Sequence, residues 1–440
     1  MSCWLGMREL AMSNRGALVP KLRFPEFLGV GGWTTEKLGL FASISKEKVG
    51  NAACIPMSIT SGVGLVSQED KFGRIIAGDS YKNYLLLRPN DFAYNKSATK
   101  EYPEGFLTLY DGSKLAAVPN SIFTCFRVDG KFPVPRYLNY LFLGNLHGHW
   151  LRKFIQVGAR AHGSLSINDD DLMALPVPLP TGNSSAAEQQ KIADCLSSLD
   201  ELIAAQARKV EALKEHKKGL MQKLFPRAGE SQPRVRFPEF RNSEDWTIGK
   251  LGEIFETTSG GTPVRSKSEF WNGDIPWITT SQVNFDVIIE AKNFISKSGL
   301  RNSSAKLFPK GTVLIAMYGQ GKTRGQVALL GIDASTNQAC AAVLPIKQID
   351  PYFVFFNLVG RYEELRRLSN SGGQENLSQG LIREIPFAYP SDRSEQQRIA
   401  SCLTALDDHI TAASAELEAF EIHKKGLMQQ LFPSAEALEA

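Results

Sequence analysis

Glu188-Gln189-Gln190-Lys191-Ile192-Ala193 stands near the middle of the chain and returns near its end as Glu395-Gln396-Gln397-Arg398-Ile399-Ala400. From these two starts the segments 188–226 and 395–433 run in step without a gap, and 23 of their 39 positions are identical. Both close on one run: His216-Lys217-Lys218-Gly219-Leu220-Met221-Gln222 to Leu224-Phe225-Pro226, and His423 through Gln429 to Leu431-Phe432-Pro433. Identity over so long a stretch marks an internal duplication, so the chain is read as two copies of one plan.

Within each copy the seam positions alternate spacings of four and three. The first has Ile192, Leu196, Leu199, Ile203, Gln206, Val210, Leu213, Lys217, Leu220 and Leu224; the second has Ile399, Leu403, Leu406, Ile410, Ala413, Leu417, Phe420, Lys424, Leu427 and Leu431. A 3.5-residue apolar period is the seam of a coiled coil. Pro226 and Pro433 stop the helices, and the Gly/Ser-rich stretch 181–185 precedes the first. Each helix reaches roughly 55 Å at ~1.5 Å per residue, too long for a small globular core. The simplest partner for one is the other; the alternative is that each packs on its own domain.

Outward from the helices the duplication continues. Arg23-Phe24-Pro25-Glu26-Phe27, Trp33 and Lys37-Leu38-Gly39 recur as Arg236–Phe240, Trp246 and Lys250–Gly252 at one offset of 213 residues. Pro135–Gly144 matches Pro351–Gly360, and Leu165-Ser166 before Pro176 pairs with Leu377-Ser378 before Pro386. Only residues 45–130 and 255–345 look unrelated, and both read as β-rich. Lys310-Gly311 turns into the run Thr312–Met317, as Pro89-Asn90-Asp91 does before Phe92-Ala93-Tyr94. The fold class is α+β: two globular domains, 20–180 and 233–390, in a tandem pseudo-symmetric repeat, separated by two long helices, 188–226 and 395–433.

The 440 residues, 43% hydrophobic and 22% charged, suit a folded chain of two or three domains. Apolar stretches such as Val313–Tyr318 fall far short of the ~20 residues that cross a bilayer. Arg8 and Glu9 interrupt the place where a secretory signal would be apolar. Six cysteines without a C-x-x-C point to a reduced, cytoplasmic, soluble protein. Basic charge is concentrated: residues 71–160 hold 13 Lys/Arg against 6 Asp/Glu, and 256–330 hold 9 against 5. Two separated basic blocks suit a polyanion touched at two places.

Catalytic chemistry finds no support. Ala316-Met317-Tyr318-Gly319-Gln320-Gly321-Lys322-Thr323 satisfies a relaxed phosphate-loop pattern, but Arg324-Gly325-Gln326-Val327-Ala328 follows in place of a helix start. A basic, Gly-rich hairpin is the better reading. The six histidines form no HExxH, and no metal-ligand spacing is present. Cys195 and Cys402 sit at equivalent helical positions beside the seam, where packing is the expected role. No Asp/Asn-Pro-Pro-aromatic motif of an amino-methyltransferase occurs, and Gly163-Ser164-Leu165-Ser166 is not a nucleophile elbow.

With these residues in view, the chain resembles the specificity (S) subunit of type I restriction-modification systems from about Pro20 to Pro433. The motifs are Phe24-Pro25-Glu26-Phe27 and Phe237-Pro238-Glu239-Phe240 before Trp; Gly261-Thr262-Pro263 with Trp271-Asn272-Gly273-Asp274-Ile275-Pro276-Trp277; Asn337-Gln338; and both EQQ-x-I-A helices. The resemblance implies two target-recognition domains, each reading one half of a split, asymmetric site in double-stranded DNA. It also implies that the helices form an antiparallel coiled coil that sets the gap and docks two methylation subunits, with restriction subunits in the same complex. S-adenosylmethionine, ATP and magnesium would then belong to those partners, with no cofactor in this chain and no catalytic residue. The first insert lacks the G-T-P and W-N-G-D-I-P-W signatures.

The resemblance and the side-chain chemistry together nominate DNA-binding residues. In the second insert these are Thr262, Arg265, Lys267, Gln320, Lys322, Arg324, Asn337 and Gln338; in the first, Arg74, Lys82, Tyr84, Asn95, Lys96 and Lys100, with Arg160 and His162 in a Gly-containing loop. Arg and Lys suit guanine O6/N7, and Asn and Gln suit adenine N6/N7. Tyr84 reads equally as a core aromatic and Asn337 as a turn residue. Arg324→Ala is expected to weaken discrimination at the half-site read by the second domain. Two other readings stand beside this one: a coiled-coil scaffold without DNA readout, and a phosphate-loop nucleotide-binding protein.

Overall fold

The computed structural model describes residues 8–9, 18–60, 62–157, 165–227, 230–319, 322–368 and 377–434. It divides into two compact units. The first holds residues up to Gln206 together with Glu416 onward, and the second holds Ala207–Ala415.

In the first unit the main strands are β1 (Trp33–Lys37), β2 (Ala42–Ser45), β3 (Ile55–Thr60), β4 (Gly64–Ser67), β5 (Leu85–Leu87), β6 (Asp91–Asn95), β7 (Phe106–Leu109), β8 (Ala116–Val118), β9 (Phe123–Val128) and β10 (Pro176–Pro180), with the two-residue strands Arg8–Glu9 on Leu22–Arg23 and Gln156–Val157 on Leu165–Ser166 besides. One sheet runs β2-β9-β6-β7, a second runs β4-β3-β8-β5, and β1 pairs with β10. The helix α1 (Pro135–Leu143) and the start of the long helix α2 (Ser185–Leu224) cover the first sheet.

The second unit repeats the plan of the main strands. Its strands are β11 (Thr247–Lys250), β12 (Thr257–Ser259), β13 (Trp271–Ile278), β14 (Asn293–Ile295), β15 (Leu307–Phe308), β16 (Val313–Ala316), β17 (Val327–Leu330), β18 (Ala334–Thr336), β19 (Cys340–Val343) and β20 (Pro386–Tyr389). The sheets run β12-β19-β16-β17 and β14-β13-β18-β15, with β11 on β20; a short strand, Val287–Ile288, is added beside β17. Even the exceptional parallel pairing recurs, β3 with β8 and β13 with β18. The two inserts that share no visible sequence therefore share one topology.

Layering follows from side-chain alternation along the central strands. Val313 and Ile315 of β16 face the layer of helix α3 (Pro351–Gly360), while Leu314 and Ala316 face the second sheet. In β6, Phe92 and Tyr94 face the helical layer and Ala93 faces the other sheet. A strand buried on both faces needs a continuous apolar run, which Val313–Ala316 supplies.

The duplicated motifs hold the helices to the sheets. Arg23 donates two hydrogen bonds to the Glu188 carboxylate, 2.7 and 2.8 Å, and the pair is 5% and 1% exposed. Arg236 and Glu395 make the same fork, at 2.8 and 2.5 Å. The residue after each glutamate is also used alike in both copies. Gln189 Oε1 accepts from Val134 N before α1, and Gln396 Oε1 accepts from Asp350 N before α3. Lys191 lies over the Phe24 ring and reaches Glu26; Arg398 lies over Phe237 and reaches Glu239.

The long helices α2 and α4 (Arg393–Leu431) pair antiparallel. In the first unit Lys424 donates to Asp200 (2.5 Å) and Gln206 to Glu416 (2.9 Å). In the second, Lys217 donates to Asp407 (2.5 Å), so numbers rise along one helix as they fall along the other. Each helix also packs on sheet-bearing domains at both ends. Ile192, Leu196 and Leu199 join the core of the first unit, where Leu427, Leu431 and Phe432 meet them. Ile399 and Leu403 join the second, where Met221, Leu224 and Phe225 close the core. The two packing alternatives posed by the heptads are thus both present in one arrangement. No helix among the described residues is long and apolar enough to cross a membrane.

Candidate nucleic-acid interface

In the second unit three chain segments leave one end of the sheets: the loop after β12, the loop after β16, and the turn between β18 and β19. Met317 N donates to Ala339 O (2.8 Å), tying the second to the third. Gly261 N donates to Thr336 O (2.8 Å), tying the first to the third. A Cβ on Gly260 would lie 1.9 Å from Thr336 O, and one on Gly261 2.3 Å from Ser304 Oγ. Only glycine allows the loop to lie this close, which gives the Gly-rich entry its physical reason.

The tryptophans of the W-N-G-D-I-P-W stretch brace this loop from below. Trp277 is buried and donates Nε1 to Gly261 O (3.0 Å); Trp271 donates to Val264 O (3.2 Å), and the two rings meet edge to face at 5.1 Å. With the backbone held, Thr262 Oγ1 donates to Gln338 Oε1 at 2.5 Å. Gln338 is exposed, and its amide hydrogens have no partner among the described residues, so they remain donors. Arg265 stands 5.5 Å over the Trp271 ring and Lys267 5.0 Å over Phe270, both exposed. Thr262, Arg265, Lys267, Asn337 and Gln338 therefore belong to one surface.

Other nominated residues have internal duties. Asn337 Oδ1 accepts from Ala339 N (3.2 Å), the turn role anticipated as its alternative. Arg324 is half-buried and donates Nη2 to Arg366 O (3.2 Å), pinning its loop to the helix Tyr362–Arg367. Tyr362 hydroxyl donates to Lys322 O (2.5 Å), which leaves the exposed Lys322 side chain on the outside of the loop. From Lys322 the chain turns directly into β17, so the phosphate-loop pattern has strand where a phosphate-binding helix is required. Gln320 lies outside the described residues.

In the first unit Lys96 and Lys100 belong to the loop after β6, with Lys100 exposed. Asn95 is 7% exposed and its Oδ1 accepts from Ser97 N (3.0 Å), so this amide serves its own turn instead of an outside partner. Tyr84 packs with Val49, Leu86 and Ala117, the core-aromatic alternative. Arg74 follows the helix Gln68–Phe72 and Lys82 lies in the 3-10 turn Asp79–Asn83, both exposed and away from the loop after β6 in sequence. Arg160 and His162 lie outside the described residues. Lys46 and Lys48, exposed in the loop after β2, were missed by motif reading. Only the strand order reveals that this loop corresponds to the one carrying Thr262.

The model of the type I restriction modification DNA specificity domain family matches residues 243–419. This segment is a specificity domain. It comprises the second set of sheets and most of α4, and the first unit carries the same strand order outside the matched range. The chain is 30% identical over 183 residues to the specificity subunit of the type I restriction enzyme MjaIX from Methanocaldococcus jannaschii, covering 40% of this chain and 41% of that relative. The chain thus spans less than half the length of that relative. Likeness to the putative MjaX specificity subunit of the same organism is more extended: 25% over 399 residues, 89% of each chain. In fold, the chain is similar to the type I S subunit of M. genitalium, with a TM-score of 0.56 over 95% of this chain and 100% of that one at 17% identity. Repeated domains and long helices are thus the architecture of the specificity-subunit fold.

Proposed function

We propose that this chain is the sequence-reading, non-catalytic subunit of a type I restriction-modification complex, recognising a bipartite, asymmetric site in double-stranded DNA. One observation carries the reading. Two domains of identical strand order present unlike side chains on the same loops: Lys46, Lys48, Lys96 and Lys100 in one, Thr262, Arg265, Lys267 and Gln338 in the other. One scaffold with two different polar and basic surfaces suits a DNA target with two different halves.

In this reading α2 and α4 set the gap between the half-sites and offer the docking ground for two methylation subunits, to which restriction subunits add. S-adenosylmethionine, ATP and magnesium are held by those partners, and the complex works in the cytoplasm. This chain's share is to bind and orient DNA. Basic side chains on the outer loops contact phosphate, and polar ones contact base edges.

The test is competition binding by the chain complexed with its methylation subunits, using duplexes with either half-site scrambled. The expected result is salt-dependent binding that loses affinity when either half is scrambled. Equal affinity for all duplexes would return the chain to the scaffold reading.

A further inference from the structure

The loops that read as unrelated sequences can be aligned by their backbone hydrogen bonds. In the second domain Met317 N donates to Ala339 O (2.8 Å), and Leu377 N donates to Met317 O (3.1 Å). In the first domain Lys96 N donates to Ile122 O (2.8 Å), and Leu165 N donates to Lys96 O (2.8 Å). Met317 follows β16 directly and Lys96 follows β6 directly. Ala339 immediately precedes β19, and Ile122 immediately precedes β9. The two pairs of bonds therefore fix a residue-by-residue correspondence at this end of the sheets: Lys96 with Met317, Ile122 with Ala339, Leu165 with Leu377.

Counting back from the anchored carbonyls, Ser121 stands where Gln338 stands and Asn120 where Asn337 stands. The first-domain turn, Pro119–Ile122, is one residue longer than Asn337–Ala339, and the extra residue is Pro119 at its start. Asn120 and Ser121 are both exposed, and neither side chain has a hydrogen-bond partner among the described residues. Asn337, by contrast, spends its Oδ1 on Ala339 N, and Asn95, the nearby amide of the first domain, spends its own on Ser97 N. The exposed amide of Asn120 is thus available one residue before the position that Gln338 takes in the second domain, with the Ser121 hydroxyl at that position itself. Lys96 starts the adjoining loop and Lys100 is exposed within it, so cationic groups for phosphate flank the turn.

We propose that Asn120 and Ser121 are specificity-determining residues of the first domain, contacting base edges of its half-site as Gln338 does for the second. The assignment rests on the DNA-reading role proposed above. The chemistry is an Asn amide suited to the paired acceptor and donor of adenine, N7 and N6, beside a hydroxyl that donates or accepts. Motif reading passed over both residues because Pro-Asn-Ser is an ordinary turn sequence.

The experiment uses the full chain co-expressed with its methylation subunits, comparing the parent with Asn120→Ala/Ser121→Ala and with Gln338→Ala. Modified motifs are read from genomic DNA. The double variant is expected to make one or two positions of one half-motif degenerate, leaving the other half and the gap unchanged; Gln338→Ala is expected to affect the opposite half. Purified complexes then give the affinity ratio between the cognate duplex and one altered in that half-site. The ratio should fall roughly five- to hundred-fold in the double variant. This ratio also decides the matter if a variant modifies no DNA in cells. An unchanged ratio, or both half-motifs kept at full stringency, overturns the assignment. A parent complex with no sequence preference would instead sink the DNA-reading role itself, so the two failures are distinguishable.

Discussion

Single side chains carry separable duties. Gln338, held by Thr262 Oγ1, is exposed, and Gln338→Ala should cost about 1–3 kcal/mol of discrimination at one base, seen as a relaxed position in the second half-motif. Arg324→Ala should act differently, because Nη2 holds the Arg366 carbonyl. Affinity for that half-site should fall as the loop loosens, whereas a loss confined to a single base position would make Arg324 a direct reader. Arg23 and Glu188 form a buried fork, and Arg23→Ala strands the carboxylate, with an expected loss of roughly 3–5 kcal/mol in chemical denaturation. His147 supplies a pH signature. Burial lowers its pKa from the ordinary 6.5 to about 4, against the opposing pull of the Gly105 carbonyl. Between those values the unfolded chain holds the proton and the folded chain does not. The contribution is therefore full above about pH 6.5 and falls as pH drops toward 4, by up to about 3 kcal/mol. Hydrogen exchange over residues 92–151 should show this acid loosening in the parent and a flatter profile in His147→Gln.

At the scale of elements, heptad spacing made α2 and α4 legible, and the repeated Arg-Phe-Pro-Glu-Phe and Glu-Gln-Gln blocks were legible as motifs. What they do physically was not, because the Arg23–Glu188 fork joins residues 165 positions apart. Nor could the repeats show where their shared Leu-Phe-Pro ends dock. Phe432 meets Tyr137 at 5.5 Å and Phe225 meets Phe353 at 5.3 Å, each end packing on the sheet-bearing domain of the opposite repeat. Two near-identical ends are interchangeable on paper, and only packing distinguishes them. The loops proposed to read DNA were the least legible. Their common strand order is kept by buried small and apolar residues such as Ala93 and Ala316, which a different side chain of similar size can replace. Residues nominated by polarity alone thus included Asn95 and Tyr84, whose structural neighbours are internal. The helices also carry a prediction. Inserting seven residues into both α2 and α4, beside Gln206 and Glu416, should lengthen the gap between half-motifs while leaving both halves intact. Recovery of the parent gap from an active variant would refute a measuring role for the helices.

For the whole molecule the central claim is that one chain, duplicated and then diverged at its loops, supplies the sequence preference of a larger complex. Its composition, duplication and helices were apparent from residues alone, while the correspondence of its two proposed reading surfaces emerged only with the sheets. The most direct test is base-modification sequencing of genomic DNA from cells expressing this chain with its neighbouring methylation subunit, set against cells lacking the chain. The account predicts a modified adenine in a two-part motif with a fixed gap, present only when this chain is present. The same modification pattern with and without the chain would contradict it.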